Sequence, residues 1–378
     1  MVQPVTRTEA FLGLLEPDGE APYLLIDSGG RPRWAFPSST TEVLRSSMTV
    51  YTPGTARAVA AWYGARFLVG ARLERLLPGR RRRCDFRLAE MLSAVSGYPT
   101  PHFAVASSFD GSRCVVGIID EQGVSKAFAK VARAGDERAV QRLTAEAEFL
   151  DRLSGSVGSV RVPRVLHVGA LADYFALTVT SVTGQPGLHP ARLSRRRAAA
   201  AAEVFSVRGK NTTLGDHLEI TVDHPAWARR LDDVRAVTEA VADVTVASGV
   251  VHGDFAAWNL LEDRGRMGIV DWEQARIDGL PFWDLWHFSV QAAALARSSG
   301  ALRSIREAIR GRGALAETMR WYAARCDVPD GLAPDVLLVY LVTTGIGLVG
   351  AASKGAIDAR HALAFRGRLL DAAVEALS

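Results

Sequence analysis

The chain has 378 residues, 48% of them hydrophobic, and a formal net charge of +4 with a sequence pI of about 9.1. This length allows two or three domains with separate cores, and the mean hydropathy of +0.07 excludes a disordered or fibrous chain. The basic residues are almost all arginine. Only four of the 45 are lysine, so each lysine is an unusual choice in this sequence.

Cysteine usage and apolar runs indicate the compartment. Cys84, Cys114 and Cys326 are scattered and odd in number, which argues against a disulfide framework or a zinc site and favours a reducing compartment. Residues 1–7 lack the charge and apolar pattern of a secretion signal. The uncharged stretch 336–353 is near the lower limit of a membrane span, but its Gly and Thr content favours a buried helix. We therefore expect a cytoplasmic protein without a membrane span.

The first part of the chain, residues 1–95, is predicted to be an N-terminal α/β extension. Strand-like runs at 23–27 and 33–36 are separated by Gly and Pro, which is typical of a hairpin, and helical patterns follow at 55–64 and 86–95. Four consecutive arginines occupy 80–83. Binding of nucleic acid or anionic lipid is the alternative for this run, and a solvated loop after Pro and Gly is preferred.

The second part, residues 96–183, is dense in strand patterns, whereas the third, residues 184–378, is mostly helical. Helical spacing of apolar residues predicts one helix at 137–153 in the second part. Five short β-runs surround it and predict a five-stranded sheet, at 103–107, 114–119, 126–132, 165–169 and 175–182. A small β-rich part therefore precedes a large helical part.

The strongest chemical signal lies at 251–273, where Asp254 is followed five residues later by Asn259 and twelve residues after that by Asp271. Phosphoryl transfer from a nucleotide needs a carboxylate to orient the attacking hydroxyl and accept its proton, and oxygen ligands for Mg²⁺. The spacing fits a short loop, a hairpin and a return to the same cleft. The pattern therefore predicts phosphoryl transfer.

Three elements in order carry a family resemblance: His252-Gly253-Asp254 with Asn259, then Asp271-Trp272-Glu273, then Pro281 with Asp284-Leu285. Together they resemble the aminoglycoside phosphotransferase and choline kinase-like family, relatives of the protein kinases, over about residues 100–378. Ala257 stands where Pro is usual, which loses loop rigidity but no catalytic atom.

The resemblance implies an α+β, two-lobed protein-kinase-like fold. The β-rich N-lobe would be residues 96–183, the mainly helical C-lobe residues 184–378, and the extension residues 1–95.

The resemblance also implies roles in the helical part. Asp254 would be the catalytic residue that orients the acceptor hydroxyl and takes its proton. Asn259 and Asp271 would hold Mg²⁺ through an amide oxygen and a carboxylate. His252 and Asp284 would be structural supports of the loop.

The nucleotide-binding half is less distinctive. Lys130 lies in an alternating apolar strand that resembles the kinase strand whose lysine grips phosphates, and Glu146 on the following helix is its expected partner, with Glu148 as the alternative. Thr180 and Val182 resemble the interlobe hinge, where adenine pairs with the backbone. The predicted phosphate loop at 107–113 has a single Gly and departs from the kinase pattern. ATP is the expected nucleotide, with GTP as the alternative.

The expected activity is an ATP- and Mg²⁺-dependent phosphotransferase acting on a hydroxyl group of a sugar, an aminoglycoside-like glycoside or another metabolite. The alternative is a nucleotide-binding pseudokinase with a regulatory or interaction role, supported by the weak phosphate loop and the long extension. A protein Ser/Thr kinase is disfavoured because the signature motifs of that group are missing. We expect a small-molecule acceptor and no nucleic acid as partner, and the sequence leaves the acceptor and the oligomeric state open.

Overall fold

The computed structural model describes residues 13–28, 31–51, 56–99, 101–107, 112–154, 157–187, 192–218, 239, 241–296, 299–353 and 357–377. The chain forms two compact units. Unit 1 comprises Met1–Ser154 with Val162–Thr183, and unit 2 comprises Gly155–Arg161 with Gly184–Ser378.

Unit 1 is built on an eight-stranded antiparallel sheet. Its strands are β1 (Leu15–Ser28), β2 (Arg31–Pro37), β3 (Arg80–Phe86), β4 (His102–Ser107), β5 (Arg113–Ile119), β6 (Ser125–Arg133), β7 (Val165–Leu171) and β8 (Tyr174–Thr180). Their order in the sheet is β3-β1-β2-β4-β5-β6-β8-β7. The helices of this unit are α1 (Thr41–Ser47), α2 (Ala56–Gly70), α3 (Ala89–Ser96) and α4 (Glu137–Leu153).

The sheet is larger than the five strands that the sequence predicts, because β2 pairs with β4. Trp34 lies opposite Ala106 and Ala35 opposite Val105. Neighbouring residues of β2 enter different clusters, Ala35 one and Trp34 the other, so both faces of the strand are covered. A strand that is buried on both faces and pairs on both edges belongs to the sheet interior. The N-terminal strands therefore continue the sheet of the β-rich part.

The prediction of a loop at residues 80–83 is wrong. The four arginines are exposed, but they form the first half of β3, an edge strand whose backbone pairs with β1. Cys84 and Phe86 alternate into the core while Asp85 stays exposed, so the chain remains extended through Phe86. For the same reason the helix predicted at 86–95 begins later, at Ala89.

Helix α4 has the bounds that apolar periodicity predicts. It begins after Asp136, whose side chain accepts a hydrogen bond of 3.0 Å from the Ala139 N–H and so caps the helix. Leu143, Ala147 and Leu150 are buried against the sheet, and Glu146 lies on the same buried face. The helix therefore presents one carboxylate toward the sheet.

Unit 2 is mainly helical, which together with the sheet of unit 1 confirms the α+β class. Among the described residues, its α-helices include α5 (Arg195–Phe205), α6 (Trp283–Ala296), α7 (Ser299–Ile309), α8 (Gly313–Cys326), α9 (Leu332–Ser353) and α10 (Ile357–Leu377). Its short strands are β9 (Gln185–Pro186), β10 (Thr212–Thr213), β11 (Thr245–Val246), β12 (Gly249–Val251), β13 (Leu260–Asp263), β14 (Arg266–Ile269) and β15 (Arg276–Gly279).

The uncharged stretch at 336–353 lies in α9, as predicted for a buried helix. Residues 336–342 are buried one after another, so the helix is covered on all sides there, and it packs against α10 and α6. Among the residues that the structure describes, no helix combines the length and the apolar character that crossing a membrane requires.

Candidate active site

The loop that follows β12 is shaped by a glycine that cannot be replaced without strain. Gly253 has φ +81°, and a Cβ built on it would lie 2.2 Å from the carbonyl oxygen of Gln274. Only glycine adopts this backbone conformation without cost and leaves room for the neighbouring carbonyl. The chain therefore turns sharply just before Asp254. Two further backbone bonds close the loop, from Ala256 N to Asp254 O at 2.8 Å and from Asn259 N to Ala256 O at 2.9 Å.

Asp284, in the first turn of α6, holds the start of this loop. Its carboxylate accepts hydrogen bonds from the backbone N–H of His252 at 2.8 Å and of Gly253 at 3.0 Å. Burial raises the pKa of Asp284, while His252 and the two backbone donors act in the opposite direction. His252 is itself buried and donates from Nε2 to the carbonyl oxygen of Val270 at 2.9 Å. The loop is thus tied both to α6 and to the chain beyond β14.

Asp254 has hydrogen bonds on both carboxylate oxygens. Asn259 donates its amide N–H groups to Oδ2 and to the main-chain oxygen of Asp254, each at 2.9 Å. Nε2 of His287 lies 3.0 Å from Oδ1. The side chain of Asp254 keeps 27% of its surface exposed, so the carboxylate remains accessible to a ligand. Because Asn259 presents its nitrogen to Asp254, its amide oxygen is directed away from that carboxylate.

A hairpin brings Asp271 back toward Asn259, as the spacing predicts. Leu260 in β13 pairs with Ile269 in β14, and the Val270 N–H donates to the Asn259 carbonyl oxygen at 3.0 Å. Asp271 has φ +68°, a conformation that non-glycine residues rarely adopt and that costs of order 1–3 kcal/mol unless the surroundings impose it. The donor set, an amide oxygen and a carboxylate, is of the hard-oxygen type that fits Mg²⁺.

His287 is a residue of this site that the sequence analysis missed. It lies on α6 three residues after Asp284, and residues at this spacing share a helix face, which was the available signal. Its other ring nitrogen, Nδ1, lies 3.4 Å from the hydroxyl of Tyr340 on α9. The Tyr340 hydroxyl in turn accepts from Nη2 of Arg366 on α10 at 3.5 Å.

In unit 1, Lys130 contacts Glu146. Its Nζ donates to both carboxylate oxygens, at 2.8 and 2.7 Å, and the two side chains are only 18% and 4% exposed. Glu148, the alternative partner, is exposed on α4. A charge-assisted pair on a central strand and a packed helix face holds the lysine in a defined position.

The predicted hinge residues lie at the end of β8 and just after it, in the same sheet as Lys130 or directly beyond it. Thr180 ends β8, and its backbone N–H donates to the Arg164 carbonyl oxygen at 2.9 Å, so this amide is engaged within unit 1. Val182 lies two residues further on and is half-buried. Residues 108–111 of the predicted phosphate loop lie outside the described residues. The nine predicted site residues thus fall into two groups, with Lys130, Glu146, Thr180 and Val182 in unit 1, and His252, Asp254, Asn259, Asp271 and Asp284 in unit 2.

Comparison with known proteins gives one family match. The model of the phosphotransferase enzyme family matches residues 112–324, more than half of the chain. No curated protein sequence matches this chain.

Several solved structures are similar at low sequence identity. A thermostable mutant of aminoglycoside phosphotransferase APH(4)-Ia, in a ternary complex with AMP-PNP and hygromycin B, is 15% identical, with a TM-score of 0.48, over 76% of this chain and 98% of its own. Amicoumacin kinase hAmiN, in complex with AMP-PNP, Ca²⁺ and Ami, is 14% identical, with a TM-score of 0.48, over 71% and 88%. A choline/ethanolamine kinase family protein from Mesorhizobium loti is 18% identical, with a TM-score of 0.48, over 76% and 97%.

Proposed function

Because this chain belongs to the phosphotransferase enzyme family, we propose that it transfers the γ-phosphoryl group of ATP to a hydroxyl group of a small molecule. The observation that carries the proposal is the Asp254 carboxylate, accessible and hydrogen-bonded on both oxygens, beside Asn259 and the hairpin that returns Asp271. GTP is the alternative donor. A sugar, a glycoside or another metabolite that bears an alcohol is the acceptor class.

In this reaction Asp254 binds and deprotonates the acceptor. A carboxylate offers about four lone-pair directions, and the hydrogen bonds from Asn259 and His287 leave others for the acceptor hydroxyl. The proton passes to Asp254 as the acceptor oxygen bonds to the γ-phosphorus. The bond from that phosphorus to the bridging oxygen breaks, and the nucleoside diphosphate leaves with the electron pair. Positioning matters more than basicity here because the transition state is loose.

Two further pairs of residues would hold the donor. Asn259 and Asp271 would bind Mg²⁺, which when bound neutralises charge on the phosphate oxygens. Lys130 would contact the phosphates, since Glu146 holds its ammonium group in a fixed position. The pseudokinase alternative is disfavoured because a protein without catalytic activity does not need both the pair Asn259 and Asp271 and the pair Lys130 and Glu146. The three cysteines are free and buried, which supports the proposed cytoplasmic location.

The test is phosphate transfer from ATP with Mg²⁺ to a library of sugars, aminoglycosides and amino alcohols. Asp254→Asn removes the proton acceptor and keeps the shape, so turnover should fall by about 10²–10⁴-fold. Asp263→Asn is the matched control, because Asp263 lies at the turn of the adjacent hairpin and pairs with Arg161. Its turnover should stay within about twofold of wild type, as expected for a partly exposed ion pair. Full turnover by Asp254→Asn would refute the proposed role.

A further inference from the structure

A line of polar side chains runs from Asp254 into the helical core of unit 2. It crosses three helices, from His287 on α6 to Tyr340 on α9 and Arg366 on α10. Arg366 also donates from Nε to the hydroxyl of Thr344 at 3.1 Å. The line thus draws on all three helices, with two members from α9, and His287 touches the carboxylate that we assign to proton transfer.

The chemistry of the groups fixes the direction of donation along this line. A guanidinium only donates, so the Tyr340 oxygen accepts from Arg366. A carboxylate only accepts, so His287 donates from Nε2 to Oδ1 of Asp254, while its Nδ1 faces the Tyr340 hydroxyl, a group that can donate to it. An imidazole that accepts at Nδ1 carries its hydrogen on Nε2, and that N–H points at Oδ1 of Asp254. These contacts match an imidazole that carries its hydrogen on Nε2 and accepts at Nδ1.

Burial makes this arrangement costly in free energy. Tyr340 is 0% exposed and Arg366 3%, although Arg366 carries a charge and donates here to two neutral hydroxyl oxygens. Burial raises the pKa of Tyr340, against the opposing effect of Arg366, so the phenol keeps the proton that it donates. A buried charge of this kind is expensive in free energy. At the other end, Asp254 is partly exposed, so the line ends at an accessible carboxylate.

We propose that His287 is a positioning residue of the phosphotransfer reaction, held by Tyr340 and Arg366 so that its Nε2–H fixes Oδ1 of Asp254. Asn259 fixes Oδ2, and two anchored oxygens define the plane and rotamer of the carboxylate. Misplacement of a catalytic group by about 1 Å costs about 10²-fold in rate. This inference rests on the proposed function and deepens it.

The first experiment separates positioning from packing by two substitutions. His287→Leu keeps apolar volume and removes the donor, whereas His287→Gln places an amide N–H near the position of Nε2. We expect His287→Leu to lower kcat by about 10–100-fold while the KM for ATP changes less than about twofold, and His287→Gln to recover most of the lost kcat. A kcat for His287→Leu within twofold of wild type overturns the inference. So does equal loss in both variants, since that pattern indicates packing alone.

The second experiment does not depend on turnover. In protein labelled with ¹⁵N-histidine, long-range ¹H–¹⁵N correlations report which ring nitrogen carries the hydrogen, and the His287 signals are those missing in His287→Gln. We expect the Nε2–H tautomer in wild type and a changed His287 spectrum in Tyr340→Phe, which removes the donor to Nδ1. A hydrogen on Nδ1, or an unchanged spectrum in Tyr340→Phe, overturns the inference.

The failures of the two proposals are distinguishable. A wild-type protein that transfers phosphate, with His287→Leu equally active, contradicts only the role of His287. A wild-type protein that transfers phosphate to no acceptor contradicts the proposed function, and the role of His287 in that reaction falls with it. In that case the tautomer result still shows whether the line exists as a structural feature.

Discussion

Asp284→Asn tests how the loop before Asp254 is held. The substitution keeps the shape of the side chain and one acceptor oxygen, but it replaces the other oxygen with an NH₂ group. One of the two backbone donors, His252 N or Gly253 N, would then face another donor. Asp284 is only 4% exposed, so water has little access to the two facing donors and cannot bond to them instead.

The expected cost follows from the bonds that change. A hydrogen bond to a charged acceptor contributes about 1.5–3 kcal/mol, and a buried donor without a partner costs about 1–3 kcal/mol. Burial raises the pKa of Asp284, which means that the ionised carboxylate carries a desolvation cost that Asn avoids. The net loss in the free energy of unfolding should therefore be about 2–4 kcal/mol. For a cooperative unit of about 200 residues, this corresponds to a fall in Tm of about 5–15 °C.

Differential scanning calorimetry measures this shift, with Asp278→Asn as the control. Asp278 pairs with Arg276 at 3.2 Å on the surface, and the Asp278 side chain is 60% exposed. An exposed pair of this kind contributes about 0–1 kcal/mol, so the control should stay within about 3 °C of wild type. Equal Tm values for Asp284→Asn and Asp278→Asn would refute the view that Asp284 braces the loop.

Three further predictions use matched pairs or conditions. Gly253→Ala should lower the Tm far more than Gly265→Ala. Both glycines have positive φ, but only an alanine at 253 would place a Cβ 2.2 Å from a carbonyl oxygen. Equal falls in Tm would contradict this. Glu146→Gln should raise the KM for ATP by about tenfold, and Glu148→Gln should leave it unchanged, because only Glu146 contacts the lysine; similar effects of both would contradict the pairing. Burial raises the pKa of Cys114 to about 12, so at pH 8 its thiol stays protonated and should react with a disulfide reagent only after denaturation, whereas rapid labelling of the native protein would show exposure.

The candidate site was predictable where its residues are close in the sequence. Asp254, Asn259 and Asp271 lie on one loop and one hairpin, so their spacing alone indicated that they would be neighbours. Apolar periodicity predicted the bounds of α4, and the family resemblance selected Glu146 on it as the partner of Lys130, which the structure brings into contact with it. In these cases local rules of secondary structure determine which side chains face the same way.

The features of the site and of the fold that were not predicted depend on contacts between segments distant in the sequence. His287 is 33 residues from Asp254, and Tyr340 is 53 residues from His287, on another helix. Periodicity assigns a residue to a face of its own helix but does not specify which helix packs against that face. The pairing of β2 with β4 is of the same kind, since α1, α2, β3 and α3 lie between these two strands in the sequence. Only tertiary packing determines such partners.

The shared sheet of unit 1 constrains how this chain can change in evolution. Phe86 of β3 stacks on Phe103 of β4 with ring centroids 4.6 Å apart, and both belong to one core cluster. Deleting the first three strands would expose that cluster and leave β4 as an unpaired edge, which promotes aggregation. The N-terminal segment is therefore not a detachable module. It can be gained or lost only with compensating changes along β4. The N-terminal segment and the rest of unit 1 should therefore unfold in a single transition.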